Sequence, residues 1–427
     1  MLREAARSRR AVVGVGTKAA WACCAAGALA LSLILYFHFS HGLNQPFHVG
    51  ARKLRFFDLR VYRGAAQRIL SGTPIYGRPL QLRLGFTYPP AAALVMVPLT
   101  LVSLHRDELI VTLVNVGALV WMLRRALLLP RPSQRFAPAA LRTPVVAWSV
   151  AMIAAAGMLW LEPVTVGIGY GQIDLVIALL VVLDLSLDDG ARGKGLTIGL
   201  AAGLKLTPLM FIPYLLFSGR RRAALLAALA FTASVGLSFV VAPADASRYW
   251  GGLFLKTSRV GGAADTSNQS LRGALARLLH IWHPGMGVAL VVIAVGIIGL
   301  WLAVRASQSG NEAAGYGLCA VTTLLVSPVS WTHHWVLAVP GLLLLAVVGY
   351  EQGSVTLLAG AAMLLLVGYS YLPELTMTMH HSPMADRSIL QADPYVLAGL
   401  AVLSVAGLRA YRISVAPLRR SQPAWSR

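Results

Sequence analysis

Acidic residues are scarce in this chain. Sixteen Asp and Glu stand among 427 residues, and charged residues of both signs make up only 12%. A soluble domain carries about 25% charged residues, so a cytosolic enzyme is excluded. A disordered chain is excluded too, because 57% of the residues are hydrophobic and disorder needs low hydrophobicity. Cysteine is almost missing as well. Cys23, Cys24 and Cys319 all lie in apolar stretches, and the adjacent pair does not form an ordinary disulfide. That excludes a secreted disulfide scaffold and leaves the redox compartment open.

What is abundant is apolar sequence, with a mean hydropathy of +0.68. No fold of this length buries so many apolar side chains without a second apolar solvent, and about eleven or twelve stretches of roughly 20 residues account for more than half of the chain. They run approximately over 19–39, 88–104, 109–123, 144–161, 173–187, 196–217, 223–242, 286–304, 313–326, 335–348, 355–371 and 395–408. Within hydrocarbon only a helix or a closed barrel satisfies the backbone, and these runs lack barrel alternation. The expected fold is therefore an all-α polytopic membrane protein with about 11–12 transmembrane or half-membrane helices. The run from Ala19 is too long for a signal peptide core and is followed by no small-residue cleavage site, so it reads as a retained span.

The net charge of +21 would suggest nucleic acid in a soluble protein. Here the basic residues sit in short loops, where topology and anionic headgroups explain them and nucleic acid is not an expected partner. Arg3, Arg7, Arg9 and Arg10, then Arg124, Arg125, Arg131, Arg135 and Arg142, then Arg220, Arg221 and Arg222, and finally Arg409, Arg412, Arg419 and Arg420 mark the cytoplasmic side. The chain divides into a basic cytoplasmic tail (1–17), one membrane domain (18–410) and a second basic tail (411–427), with outer loops at 41–87, 244–283, 327–334 and 372–393. Parity fails twice. One of the two segments between Thr87 and Arg124, the one holding Pro98, has to be partial. The stretch 196–217, with Lys205 and Pro208 at its middle, reads as two half-length helices meeting inside the membrane, a geometry allowed where the break lines a protein cavity.

The acids sort by side. Glu4, Asp107, Glu108, Asp184, Asp188, Asp189, Glu312 and Glu351 fall to the cytoplasmic loops, and Asp58, Glu162, Asp174, Asp245, Asp265, Glu374, Asp386 and Asp393 to the outer ones. Asp58 stands out: it sits in Phe56-Phe57-Asp58-Leu59-Arg60-Val61-Tyr62-Arg63, where aromatics can seat the segment at the interface. In a helix, Asp58 and Tyr62 share a face, with Arg63 beside it; the bland alternative is a local contact on an interfacial helix. Lys205, in Lys205-Leu206-Thr207-Pro208, is costly within an apolar segment and suits a phosphate, unless it snorkels to the interface. Ser330-Trp331-Thr332-His333-His334 lies at an outer boundary, where one histidine can meet a phosphate or an acceptor hydroxyl. Adjacent helical histidines point about 100° apart and do not by themselves make a two-ligand metal site.

Gly167-Ile168-Gly169-Tyr170-Gly171-Gln172, preceded by Glu162, lacks the spacing of a nucleotide fingerprint, and on spacing alone it reads as a turn. So does Asn268-Gln269-Ser270, which is also a chance-prone glycosylation sequon. Amides and carboxylates of this kind suit sugar hydroxyls because they offer donors and acceptors together.

Taken in order, Phe57-Asp58-Leu59, Thr87-Tyr88-Pro89-Pro90, Gly171-Gln172, Lys205-Leu206-Thr207-Pro208, Asn268-Gln269-Ser270 and Ser330-Trp331-Thr332-His333-His334 resemble the polyprenol-phosphate-sugar-dependent glycosyltransferases of the GT-C superfamily. More closely, the chain is similar to the actinobacterial α-1,2-mannosyltransferases that make polar phosphatidylinositol mannosides. The resemblance covers nearly the whole chain. It implies the GT-C fold and an integral plasma-membrane enzyme whose active site faces outward. The implied donor is a β-linked polyprenyl-phosphate mannose and the acceptor a phosphatidylinositol mannoside, both held among membrane lipids. The first-loop acid of the family, its catalytic base, carries over to Asp58. Lys205, Arg63, His333 and His334 are then expected at the donor phosphate, and Tyr62, Glu162, Gln172, Asn268 and Gln269 at acceptor or sugar. No cofactor and no metal are expected, since no carboxylate pair suits a divalent ion. One departure is Ile173-Asp174, where relatives often carry Val-Asn. The competing readings are an arabinofuranosyltransferase using polyprenyl-phosphate arabinose, and a lipid-linked-sugar flippase or transporter, for which a membrane lysine and broken helices are equally natural.

Overall fold

The computed structural model describes residues 23, 24, 26–28, 30 and 31, then 56–136 apart from 78 and 81–83, then 143–370, 372 and 389–420. The N-terminal arginines, most of the first apolar run, Arg142, Glu374 and Asp386 lie outside the described residues. The described residues are mainly helical and form no β-strand, and an isolated antiparallel bridge joins Asn268 and Trp331.

Each expected apolar run after the first is helical, as one helix or as shorter helical pieces. Five are long and apolar enough to cross a bilayer, namely Leu104–Ala126, Arg221–Val241, Met286–Gln308, Thr332–Glu351 and Pro394–Tyr411. Pro144–Met158 and Glu162–Tyr170 reach that length and apolarity only when taken together, and they are bent by 81° to one another. Shorter apolar helices complete the bundle: Pro90–Leu101, Thr207–Phe217, Glu312–Val326 and Val355–Tyr369. Leu225, Leu229, Leu237, Leu290, Ile293, Ile297 and Trp301 point outward and exposed from two of the long helices. Such a belt is stable in lipid and not in water, so this is an all-α multi-pass membrane protein.

For reference below, the helices that carry the argument are α1 (Phe57–Leu70), α2 (Pro90–Val95), α3 (Leu104–Ala126), α4 (Pro144–Met158), α5 (Glu162–Tyr170), α6 (Asp174–Leu185), α7 (Leu196–Leu204), α8 (Phe211–Phe217) and α9 (Arg221–Val241). Both parity failures have a structural cause. After α2 comes a 3-10 turn, Val97–Leu101, and the pair is too short to cross. The stretch 196–217 breaks where expected: Lys205 is extended (φ −148°, ψ 130°) between α7 and the 3-10 turn Thr207–Met210 that leads into α8. Pro208 explains the stop, since its ring would clash with the Leu204 carbonyl and it has no N–H to donate.

Polar contacts gather at two ends. At one end lie the basic loops: Arg220 pairs with Asp189 (2.8 Å) and Glu312 (2.6 Å), Arg131 with Glu351 (2.6 Å), and Lys194 with Asp189 (2.9 Å). At the other end Asp245, in the first turn of the short helix Pro243–Trp250 that follows α9, accepts the Ile75 and Tyr76 N–H groups of the first loop. Arg277 pairs with Asp393 there as well. One assignment is corrected. Asp107 and Glu108 open α3 at this second end, where Asp107 pairs with Arg63 and Glu108 lies 3.6 Å from Arg60, a full helix length from Arg124 and Arg125. The partial segment is the one before α3, so these acids sit on the side of the first loop.

The position of Lys205 depends on how closely α7 lies against α9. Asp184 caps α7, accepting from Gly195 N–H (2.7 Å), Thr197 N–H (3.1 Å) and the Thr197 hydroxyl (3.0 Å). Along α7, a Cβ at Gly199 would stand 2.2 Å from the Ala227 carbonyl oxygen, and one at Gly203 would stand 2.1 Å from Ser234 Oγ. Small residues let the two backbones touch, as membrane helix pairs require. Gly199→Ala should therefore destabilise the protein by about 1–3 kcal/mol through overpacking and lower Tm in detergent by several degrees. Gly117→Ala, in α3 with nothing within 4 Å of the new Cβ, should leave Tm unchanged or raised; equal effects at the two sites would contradict this packing.

Candidate active site

Gly171 brings the parts together. It ends α5 in the left-handed conformation (φ +71°), and a Cβ there would stand 2.7 Å from Leu59 Cβ. The start of α1 thus packs directly on this turn, and Phe56 N–H donates to the Gly169 carbonyl (2.6 Å). The glycine run is a helix stop that docks α1, as its turn-like spacing suggests. The residue after it, Gln172, is buried and points its side chain back at α1.

The Gln172 amide joins most of the site. Its Nε2 donates to Asp58 Oδ2 (2.7 Å), while its Oε1 accepts from the hydroxyls of Tyr62 (2.5 Å) and Tyr88 (2.9 Å). Its main-chain carbonyl accepts from Asn115 in α3 (3.0 Å). Asp58 and Tyr62 share the face of α1 that the four-residue spacing requires. From Tyr88 the network continues to Lys205, whose ammonium lies 3.3 Å from the Tyr88 hydroxyl and donates to Asp174 Oδ1 at 2.5 Å. A carboxylate and a buried ammonium are thus linked through Gln172 and Tyr88.

His333 and His334 also lie close to Asp174. They stand in a 3-10 turn, Thr332–Ala338, with ring centroids 4.8 Å apart. Metal-ligating atoms of Asp174, His333 and His334 all lie within 4.8 Å of one another. Among the described residues this is the group that could hold a metal, but the Lys205 ammonium already occupies one Asp174 oxygen, which opposes a second cation.

The other expected site residues have different placements. Arg63 donates to the Leu99 carbonyl (2.6 Å) and pairs with Asp107, bracing α1 against α3 and standing outside the network. Asn268 is fully buried, donates to the Ala263 carbonyl (3.0 Å) and accepts from Ser330 N–H (2.9 Å). Gln269 donates to the Thr266 and Ala392 carbonyls (2.7 Å each) and accepts from Tyr395 N–H (3.2 Å). The Asn268 amide thus fastens the central loop to Ser330, and the Gln269 amide fastens it to Ala392 and Tyr395. Glu162 is buried at the start of α5 and accepts from the Tyr395 hydroxyl (2.6 Å). Sequence reasoning assigned no role to Tyr88, Asn115 and Asp174. Asp174 carried a signal, since it and Lys205 are opposite charges inside apolar runs and such charges pair.

Burial holds the Asp58 carboxyl well above the ordinary 3.8, at about 6, while the Gln172 hydrogen bond and the Lys205 charge pull it down and Asp174 pushes it up. This suits a general base poised near neutral pH.

The matching model for glycosyltransferase family 87 spans residues 86–328. The chain belongs to that family. Among curated proteins it is similar to the polyprenol-phosphate-mannose-dependent alpha-(1-2)-phosphatidylinositol mannoside mannosyltransferase of Mycobacterium tuberculosis, 33% identical over 372 residues that cover 82% of this chain and 84% of the relative. The protein of the same name from Mycolicibacterium smegmatis is 33% identical over 380 residues, covering 82% and 83%. The phosphatidylinositol pentamannoside mannosyltransferase of Mycolicibacterium smegmatis is 33% identical over 296 residues, covering 67% and 68%. No solved structure matches the chain. This family-87 glycosyltransferase therefore carries a poised carboxylate, two tyrosine hydroxyls and a buried lysine in one hydrogen-bonded group.

If Asp58 is the base, kcat/KM falls about tenfold per pH unit below pH 6 and levels off above it. The folded-state pKa lies above the unfolded one, so the stability contribution of this group is fully present below 3.8 and lost as pH rises through 6. Gln172→Leu removes the hydrogen bond that favours the ionised form. Its acid limb should move to higher pH, with a loss on the order of tenfold at pH 6.5; a pH–rate profile with an unmoved limb would refute the role of Gln172.

Proposed function

We propose that this protein transfers mannose from polyprenyl-phosphate mannose to a phosphatidylinositol mannoside, forming an α-1,2 linkage with inversion, on the outer face of the plasma membrane. The observation that carries this reading is the hydrogen-bonded connection between a half-buried carboxylate, Asp58, and a buried ammonium, Lys205. Donor and acceptor follow the family-87 relatives, whose names specify that donor, that class of acceptor and that linkage. The outer face follows from the basic loops at the opposite end of the bundle. Residues 18–410 act as one catalytic domain, and no nucleic acid takes part.

The reaction is a single displacement. Asp58 takes the proton of the acceptor hydroxyl as its oxygen forms a bond to C1 of mannose, and the bond from C1 to the phosphate oxygen breaks on the opposite face. Polyprenyl phosphate leaves with the electron pair. Growing charge on that phosphate meets the Lys205 ammonium, with the imidazoles of His333 and His334 as hydrogen-bond donors. Gln172 holds the Asp58 carboxylate in one orientation, and the Tyr62 and Tyr88 hydroxyls fix Gln172 in turn. Both substrates are lipids, which accounts for a site at a helix break beside the membrane surface.

The test uses purified protein in lipid nanodiscs with radiolabelled polyprenyl-phosphate mannose or polyprenyl-phosphate arabinose and a phosphatidylinositol mannoside. A labelled, α-mannosidase-sensitive lipid product from the mannose donor alone is expected; product from the arabinose donor alone would overturn the reading. Lys205→Met keeps the aliphatic stem and removes the charge, so turnover at saturating donor should fall on the order of 10²–10³-fold, with part retained in Lys205→Arg. Near-normal turnover in correctly folded Lys205→Met would remove Lys205 from the phosphate.

A further inference from the structure

Lys205 already has an anion. Its ammonium donates to Asp174 Oδ1 at 2.5 Å, and the two residues are only 7% and 6% exposed. The pair is incompletely matched. Asp174 Oδ2 is buried with no hydrogen-bond partner, and the same holds for His333 Nε2 and His334 Nδ1. Ligating atoms of these three residues converge within 4.8 Å. A buried polar atom left unpaired costs about 1–3 kcal/mol, so this is the place where an incoming polar group gains most. A phosphate offers oxygen acceptors for the ammonium and for two imidazole N–H groups. A fully ionised phosphate, such as that of the donor phosphodiester, has no proton to offer a carboxylate. Asp174 therefore occupies, beside Lys205, the position that a phosphate would contest.

On the reading of Lys205 as the cation for the donor phosphate, we propose that Asp174 is an exchange partner: it holds Lys205 while the site lacks phosphate, yields it when the donor binds, and reclaims it to expel polyprenyl phosphate after transfer. Asp174 is a positioning residue in this scheme and forms no bond with substrate. The charges say what it adds in this chain, where relatives often carry Asn. The donor is a phosphodiester with one negative charge. The product is a monoester whose second ionisation, near pH 6, gives it almost two at neutral pH. A buried ammonium without a carboxylate beside it holds the product more tightly than the substrate, and release is slower. A competing carboxylate repels both ligands, and the dianion about twice as strongly as the monoanion.

The scheme is tested by the ratio of the inhibition constant for polyprenyl phosphate to the KM for polyprenyl-phosphate mannose, in wild type, Asp174→Asn and Asp174→Glu. This ratio does not depend on the fraction of enzyme that is folded, so a destabilised variant still gives an answer. In Asp174→Asn both constants should fall, the inhibition constant at least tenfold more than KM, and kcat should fall more than the single-turnover rate because release becomes limiting. Asp174→Glu should keep the ratio of the wild type within about threefold. An unchanged ratio in Asp174→Asn, while Lys205→Met is strongly impaired, would overturn the exchange and leave the phosphate role of Lys205 standing. Wild-type activity lost in EDTA and restored by Mn²⁺ would also overturn it, since Asp174 would then be a metal ligand with His333 and His334.

Discussion

The side-chain amide of Gln172 is the contact on which the site depends. An amide carries a donor and an acceptor on one rigid plane, and here the donor meets Asp58 while the acceptor meets Tyr62 and Tyr88. Four chain segments far apart in sequence are thereby fixed to one another: the start of α1, the loop before α2, the turn after α5 and, through Tyr88, the break at Lys205. Desolvation would otherwise leave the Asp58 carboxyl neutral through a wider range of pH. The amide donor and the distant ammonium oppose that, and the balance sets the group at about 6. A base of that strength is ionised at neutral pH and still basic enough to accept a proton as a hydroxyl attacks.

The bundle serves this contact by keeping two kinds of end apart. Arginine-rich loops and their acids make ion pairs at one end, so the other end is free for a different arrangement of charge. There Asp245 accepts from the first loop, Asp393 pairs with an arginine, Glu162 accepts from a tyrosine and Asp174 holds the lysine. The near-contact of α7 and α9 carries Lys205 to that end, and Pro208 stops the helix so that its side chain turns into the protein instead of toward lipid.

Much of the fold was legible because hydrocarbon permits so little else. Every apolar run after the first is helical, and counting basic loops locates two that are split into shorter pieces, at Pro98 and at Lys205. The count erred at Asp107 and Glu108 because charge near a partial segment does not report which of two neighbouring helices crosses. At the site, Asp58 with Tyr62 and the lysine at the break could be read from spacing and from the cost of charge in an apolar run. Gln172 could be named but not its task, since the bond to Asp58 spans 114 residues of sequence. Asn268 and Gln269 have the chemistry of sugar binders, yet their amides are used to fasten a loop. Composition cannot separate these two uses of one functional group.

The central claim is that Asp58 is the base of a mannosyl transfer. The most direct measurement is transfer from radiolabelled polyprenyl-phosphate mannose to a phosphatidylinositol mannoside by Asp58→Asn, with thermal unfolding recorded on the same sample. Asparagine keeps the size and can still accept from Gln172, and it sheds a desolvated charge. The expected result is loss of transfer by at least 10³-fold at pH 7.5 with Tm equal to or above that of the wild type. Transfer within about tenfold of the wild type by folded Asp58→Asn would contradict it.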